Sequence, residues 1–140
     1  PFYGVYEWDD PRHGNGEALT DILARYIVKQ SYAAAPEIYR SASPVHRISA
    51  DAPPALIIHG DHDTLAPVEE ARRFAAELRR VSRNPVVYAE LRGAHHAFEV
   101  FNSIRTLDAV SGVDRFLAWL LATHPPQGAV GDPEITPRRA

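Results

Sequence analysis

The sequence predicts an α/β architecture built on a parallel sheet. Three observations carry this. Ala55 to His59 is a short, continuous apolar run, the signature of a strand buried on both faces. A second strand pattern, Val86 to Leu91, follows after one amphipathic helix, so the two strands and their connection form a crossover unit. Across the whole chain the order reads strand, helix, strand, helix, strand, helix.

In chain order, Phe2 to Trp8 is aromatic and β-branched and reads as the first strand, ended by Asp9-Asp10-Pro11. Arg12 to Gly16 is a loop with an Asn-Gly turn signal. Leu19, Ile22, Leu23, Tyr26 and Ile27 recur at helical spacing, so Glu17 to Gln30 is expected to be an amphipathic helix. Ala33 to Pro44 mixes a short helix with loop, and Ser49 to Pro54 is a connector. After the Ala55–His59 strand comes a polar loop, Gly60 to Ala66, and Pro67 suits the first turn of a helix. The apolar face of that helix is Val68, Ala71, Phe74, Ala75, Leu78 and Val81. Glutamates 69 and 70 come early and arginines 79, 80 and 83 late, as the helix dipole favours. Asn84-Pro85 stops it. The last helix is expected from Glu99 to Thr123, with Val100, Ile104, Leu107, Val110, Val113, Leu117 and Leu120 buried and a candidate kink or break at Ser111-Gly112. His124-Pro125-Pro126 ends it. Residues 127–140, rich in Pro, Gly and Arg, read as a disordered tail after a domain spanning 1–126.

Bulk properties narrow the function classes. The 140 residues are 45% hydrophobic and 24% charged, ordinary for a globular domain. A formal charge of -3 supplies no electrostatic reason to expect a nucleic-acid partner. With no cysteine, disulfides and thiolate metal sites are ruled out. No apolar run approaches the roughly 20 residues that span a bilayer. The compartment stays open, the cytoplasm being the default expectation. Pro1 opens directly on a strand-like segment, as expected of a chain starting inside a larger protein, and three strands are few for a parallel sheet.

Polar groups crowd into two loops, His59-Gly60-Asp61-His62-Asp63 and Gly93-Ala94-His95-His96-Ala97-Phe98, each directly after a strand. Ligands of open parallel sheets bind beyond the carboxyl ends of the strands. A carboxylate and an imidazole brought together there can form an acid–base relay. The carboxylate accepts the Nδ1 proton, and the other ring nitrogen takes a proton from a hydroxyl.

Residues 54–68 (PALIIHGDHDTLAPV) resemble the acid-strand motif of α/β-hydrolases, an apolar strand followed by His-Gly-x-x-Asp and Pro-Val. Residues 93–98 (GAHHAF) resemble that family's histidine motif, Gly-x-x-His-x-Phe. The resemblance covers roughly Phe2 to Ala122 and is nearest to carboxylesterases and lipases of the hormone-sensitive-lipase group, with prolyl-oligopeptidase-type hydrolases close by. It implies the C-terminal portion of an α/β-hydrolase fold, with about three parallel strands and flanking helices. It also implies Asp63 as the triad acid, His96 as the triad base, a small-molecule ester substrate, and no metal or organic cofactor. Asp and His follow the family order Ser, Asp, His.

The chain departs from the family in lacking both Gly-x-Ser-x-Gly and a His-Gly-Gly run. None of Ser31, Ser41, Ser43, Ser49, Ser82, Ser103 and Ser111 has the setting of a nucleophile elbow. The nucleophile is therefore expected on an upstream part of the same protein. Plainer roles compete. Asp63 could serve free N–H groups ahead of the Pro67 helix. Asp61 reads as a turn residue, His95 as a loop residue, His59 as a support for the loop, and Phe98 as a packing residue; His62 has no assigned role. The histidines and aspartates could in principle bind a metal, but no zinc signature such as His-Glu-x-x-His occurs. The Arg72, Arg73, Arg79 and Arg80 cluster reads as a solvated helix face. A serine peptidase, or a non-catalytic fragment acting by association, are the alternatives to an esterase.

Overall fold

A computed structural model of the chain describes residues 1–9 and 17–124. The expected tail at 127–140 and the Asn15-Gly16 turn lie outside the described residues.

Strand β1 (Ala55–Gly60) pairs in parallel with β2 (Val86–Leu91), in register from Ala55 opposite Val86 to Gly60 opposite Leu91. Between them runs helix α3 (Val68–Val81). Its length and bounds follow the sequence pattern. Glu69 and Glu70 occupy the first turn and Arg79 and Arg80 the last, and the extended backbone of Ser82 ends it. Val68, Ala71, Ala75 and Leu78 are buried, and the core of the crossover unit is Ile57 of β1, Tyr6, and Ala71, Ala75 and Leu78 of α3. Tyr6 stacks on Phe74, with ring centroids 4.3 Å apart. Full burial of side chains the size of Ile57 and Leu78 contributes about 1.5–3 kcal/mol each.

β1 is the buried strand. Beyond it, on the side away from β2, Phe2 makes a single parallel bridge to Ile58. This corrects the expectation of a third strand from Phe2 to Trp8. The Tyr3 amide donates to Ile58 O, but Tyr3 itself takes φ 36, so the extended run ends after one bridge. The chain then carries Tyr6 into the core. Among the described residues β2 is an edge strand. It displays Glu90, which Arg72 of α3 grips through Nε and Nη2 at 2.8 and 2.6 Å; a charge on an edge discourages pairing with another chain.

A second cluster joins Leu19, Leu23 and Tyr39, from helix α1 (Glu17–Ile22), its wider π-helical continuation Leu23–Ile27, and α2 (Pro36–Ala42). A short 3-10 turn, Pro44–Arg47, follows. The first helix therefore stops short of Gln30, with Lys29 at φ 61. Of its expected apolar face, Leu19 and Leu23 are buried, whereas Ile22, Tyr26 and Ile27 are exposed.

Helix α4 (Ile104–Thr123) differs from expectation in two ways. It begins at Ile104, not Glu99, because the Ser103 hydroxyl caps it by accepting from the Thr106 amide at 3.1 Å. It also buries a different stripe. Thr106, Ala109, Val113, Phe116 and Leu120 are its least exposed residues, and only Ala109 is fully buried. Val100, Ile104, Leu107, Val110 and Leu117, expected inside, are exposed, Ile104 to 80%. The helix runs unbroken through Ser111 and Gly112. No helix among the described residues is long and apolar enough to cross a membrane.

Candidate active site

Because β1 and β2 are parallel and in register, the loops that follow them start side by side. They are laced together. The Asp61 amide donates to Leu91 O at 3.2 Å, the His62 amide to Ala94 O at 3.0 Å, and the Gly93 amide to Asp61 Oδ1 at 2.6 Å. Asp61 is thus the turn residue the sequence suggested. Gly60 is needed here for space. A Cβ on it would lie 2.2 Å from the carbonyl oxygen of buried Ala94. Gly93 is needed for conformation, at φ 68.

This lacing sets Asp63 against His96. Asp63 Oδ2 accepts from His96 Nδ1 at 2.8 Å. The other oxygen, Oδ1, accepts from the amides of Leu65 and Ala66 at 2.9 and 2.8 Å. The carboxylate thus makes two kinds of contact, one on each oxygen: Oδ1 takes the loop amides ahead of α3, and Oδ2 takes the imidazole. The Asp63 side chain is wholly buried, while that of His96 is 30% exposed. A carboxylate can only accept, so Nδ1 carries a proton, and Nε2 lies on the far side of the ring.

His59 lies beside the Asp63 carboxylate. Fully buried, it donates from Nε2 to Ala66 O at 2.7 Å and lies 3.4 Å from Asp63 Oδ2. Its Nδ1 is buried and meets no partner among the described residues. His62 and His95 form a ring contact of their own at 5.8 Å. Among the described residues, no three acidic or imidazole side chains gather as a metal site would require. The arginines expected on a solvated face are engaged in ion pairs or backbone bonds: Arg72 with Glu90, Arg80 with Glu77, Arg73 with Glu7, and Arg79 with Val86 O. The bond from Arg72, followed by one from Tyr88, holds the Glu90 carboxyl down at about 2 against the opposing effect of burial.

Sequence reasoning overlooked two neighbours. The Tyr3 ring lies 4.2 Å from the His96 ring, and the Tyr3 hydroxyl donates to Glu99. Phe98 packs as expected, on Phe2 at 5.5 Å and edge-on to Tyr3 at 5.9 Å. Tyr3 and Glu99 stand 96 positions apart, so no local pattern announces their contact.

Residues 2–78, more than half of the chain, match the model of the BD-FAE family. The chain belongs to the BD-FAE family. That match contains Asp63 and stops before His96. The chain is also 45% identical over 124 residues to LipM of Mycobacterium tuberculosis, described as a probable carboxylic ester hydrolase, covering 89% of this chain and 29% of the relative. It is 41% identical over 115 residues to the esterase LipC of the same organism, covering 82% and 28%. Matches of such length within 140 residues necessarily take in both Asp63 and His96. A propionate-bound esterase structure from the Planctomycetes species Thermogutta terrifontis has a TM-score of 0.60 at 24% identity, over 91% of this chain and 43% of that one. This likeness shows the fold, that of the α/β-hydrolases. The relatives identify an esterase- and lipase-type enzyme family, and the chain spans under a third of the length of the curated relatives it matches.

Proposed function

We propose that these residues supply the acid and the base of a serine hydrolase that cleaves carboxylic esters, with the nucleophilic serine carried by a part of the protein outside these 140 residues. The bond from His96 Nδ1 to Asp63 Oδ2, at the carboxyl ends of two adjacent parallel strands, is the observation that carries this reading.

His96 Nε2 takes the proton of the serine hydroxyl as its oxygen attacks the ester carbonyl. Asp63 holds the imidazole in the required tautomer and stabilises the imidazolium. His96 then returns the proton to the departing alcohol, leaving an acyl-enzyme. In the second half, His96 accepts a proton from the attacking water and restores it to the serine, releasing the acid. The relay calls for no metal or organic cofactor. The names of the mycobacterial relatives favour ester over peptide substrates. A second reading, action by association, draws support from the exposed apolar side of α4, where Ile104, Leu107, Val110 and Leu117 face outward.

The test is hydrolysis of a short-chain p-nitrophenyl ester by the full-length protein carrying this sequence, beside Asp63→Asn and His96→Ala. Losses of about 10³-fold or more in kcat for both folded variants are expected. Unchanged turnover in either variant would overturn the assignment, and inert wild-type protein would overturn the esterase reading.

A further inference from the structure

One hydrogen bond does not fix an imidazole. The contact with Asp63 sets the direction of Nδ1 but leaves the ring able to swing about the Nδ1···Oδ2 line, and the terminal torsion of histidine is soft. A base that must meet a hydroxyl with Nε2 needs a second restraint, because a misplacement of about 1 Å can cost about 10²-fold in rate.

The structure holds such a restraint. The Tyr3 ring lies against the His96 imidazole with centroids 4.2 Å apart and planes tilted by 50°. Tyr3 is itself held at both ends. Its amide donates to Ile58 O at 2.8 Å, and Pro1 O accepts from the Ile58 amide at 2.9 Å, which pins the segment to the buried strand β1. Its hydroxyl donates to Glu99 Oε1, three residues beyond the base. The edge of Phe98 closes a further side.

Two residues other than glycine adopt left-handed backbone in this clasp, Tyr3 at φ 36 and Ala97 at φ 56. Left-handed backbone is unfavourable for a residue with a Cβ, and strain of this kind persists where the surroundings impose it. The bond to Glu99, then burial, then the charges of Glu99 and Asp63 push the Tyr3 phenol up to about 12. The hydroxyl therefore remains a proton donor at neutral pH.

We propose that Tyr3 is the positioning residue of the base: its ring is the seat on which the His96 imidazole rests, and its hydroxyl, tied to Glu99, keeps that seat in place. This rests on the reading of His96 as the base.

The experiment compares Tyr3→Leu, Tyr3→Phe and Glu99→Gln with wild type in the full-length protein, using two readouts. The first is carbethoxylation of His96 by diethylpyrocarbonate, followed by peptide mass mapping at a pH where imidazole is neutral, with His62 and His95 as internal standards. This readout needs no catalytic activity. The His96 rate is expected to rise about fivefold or more in Tyr3→Leu, where the seat is gone, and about two- to threefold in Tyr3→Phe and Glu99→Gln, where only the tie is cut. The second is ester hydrolysis, with kcat falling about 10–100-fold in Tyr3→Leu, only a few-fold in Tyr3→Phe, and KM nearly constant.

A lower melting temperature with the wild-type His96 rate and kcat would make Tyr3 merely structural and overturn the proposal. If Tyr3→Leu does not fold, unchanged His96 rates in both Tyr3→Phe and Glu99→Gln overturn it equally. Inert wild type with shifted His96 rates would sink the esterase reading and leave the seat standing.

Discussion

Replacing Asp63 by asparagine and by alanine separates the two tasks of its carboxylate. In wild type, Oδ1 takes the Leu65 and Ala66 amides and Oδ2 takes His96 Nδ1, with His59 Nε2 at 3.4 Å. Hydrogen bonds to a charged group are each worth about 1.5–3 kcal/mol. Alanine forfeits both loop bonds, so Asp63→Ala should destabilise by about 3–6 kcal/mol, a large share of the stability of an ordinary domain. Asparagine can keep its carbonyl on the two amides, at roughly half strength, so Asp63→Asn should cost only about 1.5–3 kcal/mol. Its NH2 group then faces the Nδ1–H of His96 and the Nε2–H of His59, donor against donor. His96 is driven to the other tautomer, with its proton on the nitrogen that should receive one. Turnover should fall about 10³–10⁴-fold in both variants although only one is badly destabilised. Urea unfolding and p-nitrophenyl ester hydrolysis on the full-length protein measure the two effects. Equal stability losses would refute the loop role of Oδ1, and Asp63→Asn keeping more than about a tenth of wild-type turnover would refute the orienting role of Oδ2.

Three further perturbations follow from the same geometry. Gly60→Ala places a methyl group against the main chain of Ala94, so the two loops must part; a loss of about 1–3 kcal/mol in urea unfolding is expected, with turnover falling as Asp63 and His96 separate. Glu70 is 3% exposed and burial raises its carboxyl to about 7, partly offset by the Tyr6 and Glu7 backbone. Its folded pKa exceeds its unfolded value of 4.5, so the native state binds the extra proton between those limits. Stability from this group is therefore full below about pH 4.5 and declines as pH rises through about 7. Glu70→Gln should flatten that part of the melting-temperature profile, and an unchanged slope would contradict it. Finally, the exposed apolar side of α4 should make the isolated 140-residue chain self-associate. Light scattering should show smaller species for the doubly substituted Leu107→Glu, Leu117→Glu chain, whereas a monomeric parent would refute the idea.

By itself, the sequence determined the crossover unit and the two polar loops at its end. The run Ala55 to His59 has one comfortable environment, a strand covered on both faces, and α3 carries a single apolar stripe between a proline entry and an Asn-Pro stop. Two polar loops after adjacent parallel strands lie side by side, and it is the resemblance to the α/β-hydrolase motifs, not the spacing, that singles out Asp63 and His96 among their aspartates and histidines. What α4 buries was not legible. Apolar side chains cover most of its circumference, so periodicity offers several stripes, and the stripe chosen centres on Ala109, the one buried residue of the helix. Nor was the end of the first strand legible. Phe2 to Trp8 has strand composition throughout, yet Tyr3 leaves the extended region. Its ring reaches His96 and its hydroxyl reaches Glu99, 96 residues away. Local propensity carries no information about contacts at that separation. Only the packed tertiary structure could decide that an apparent strand residue would become the wall beside the imidazole.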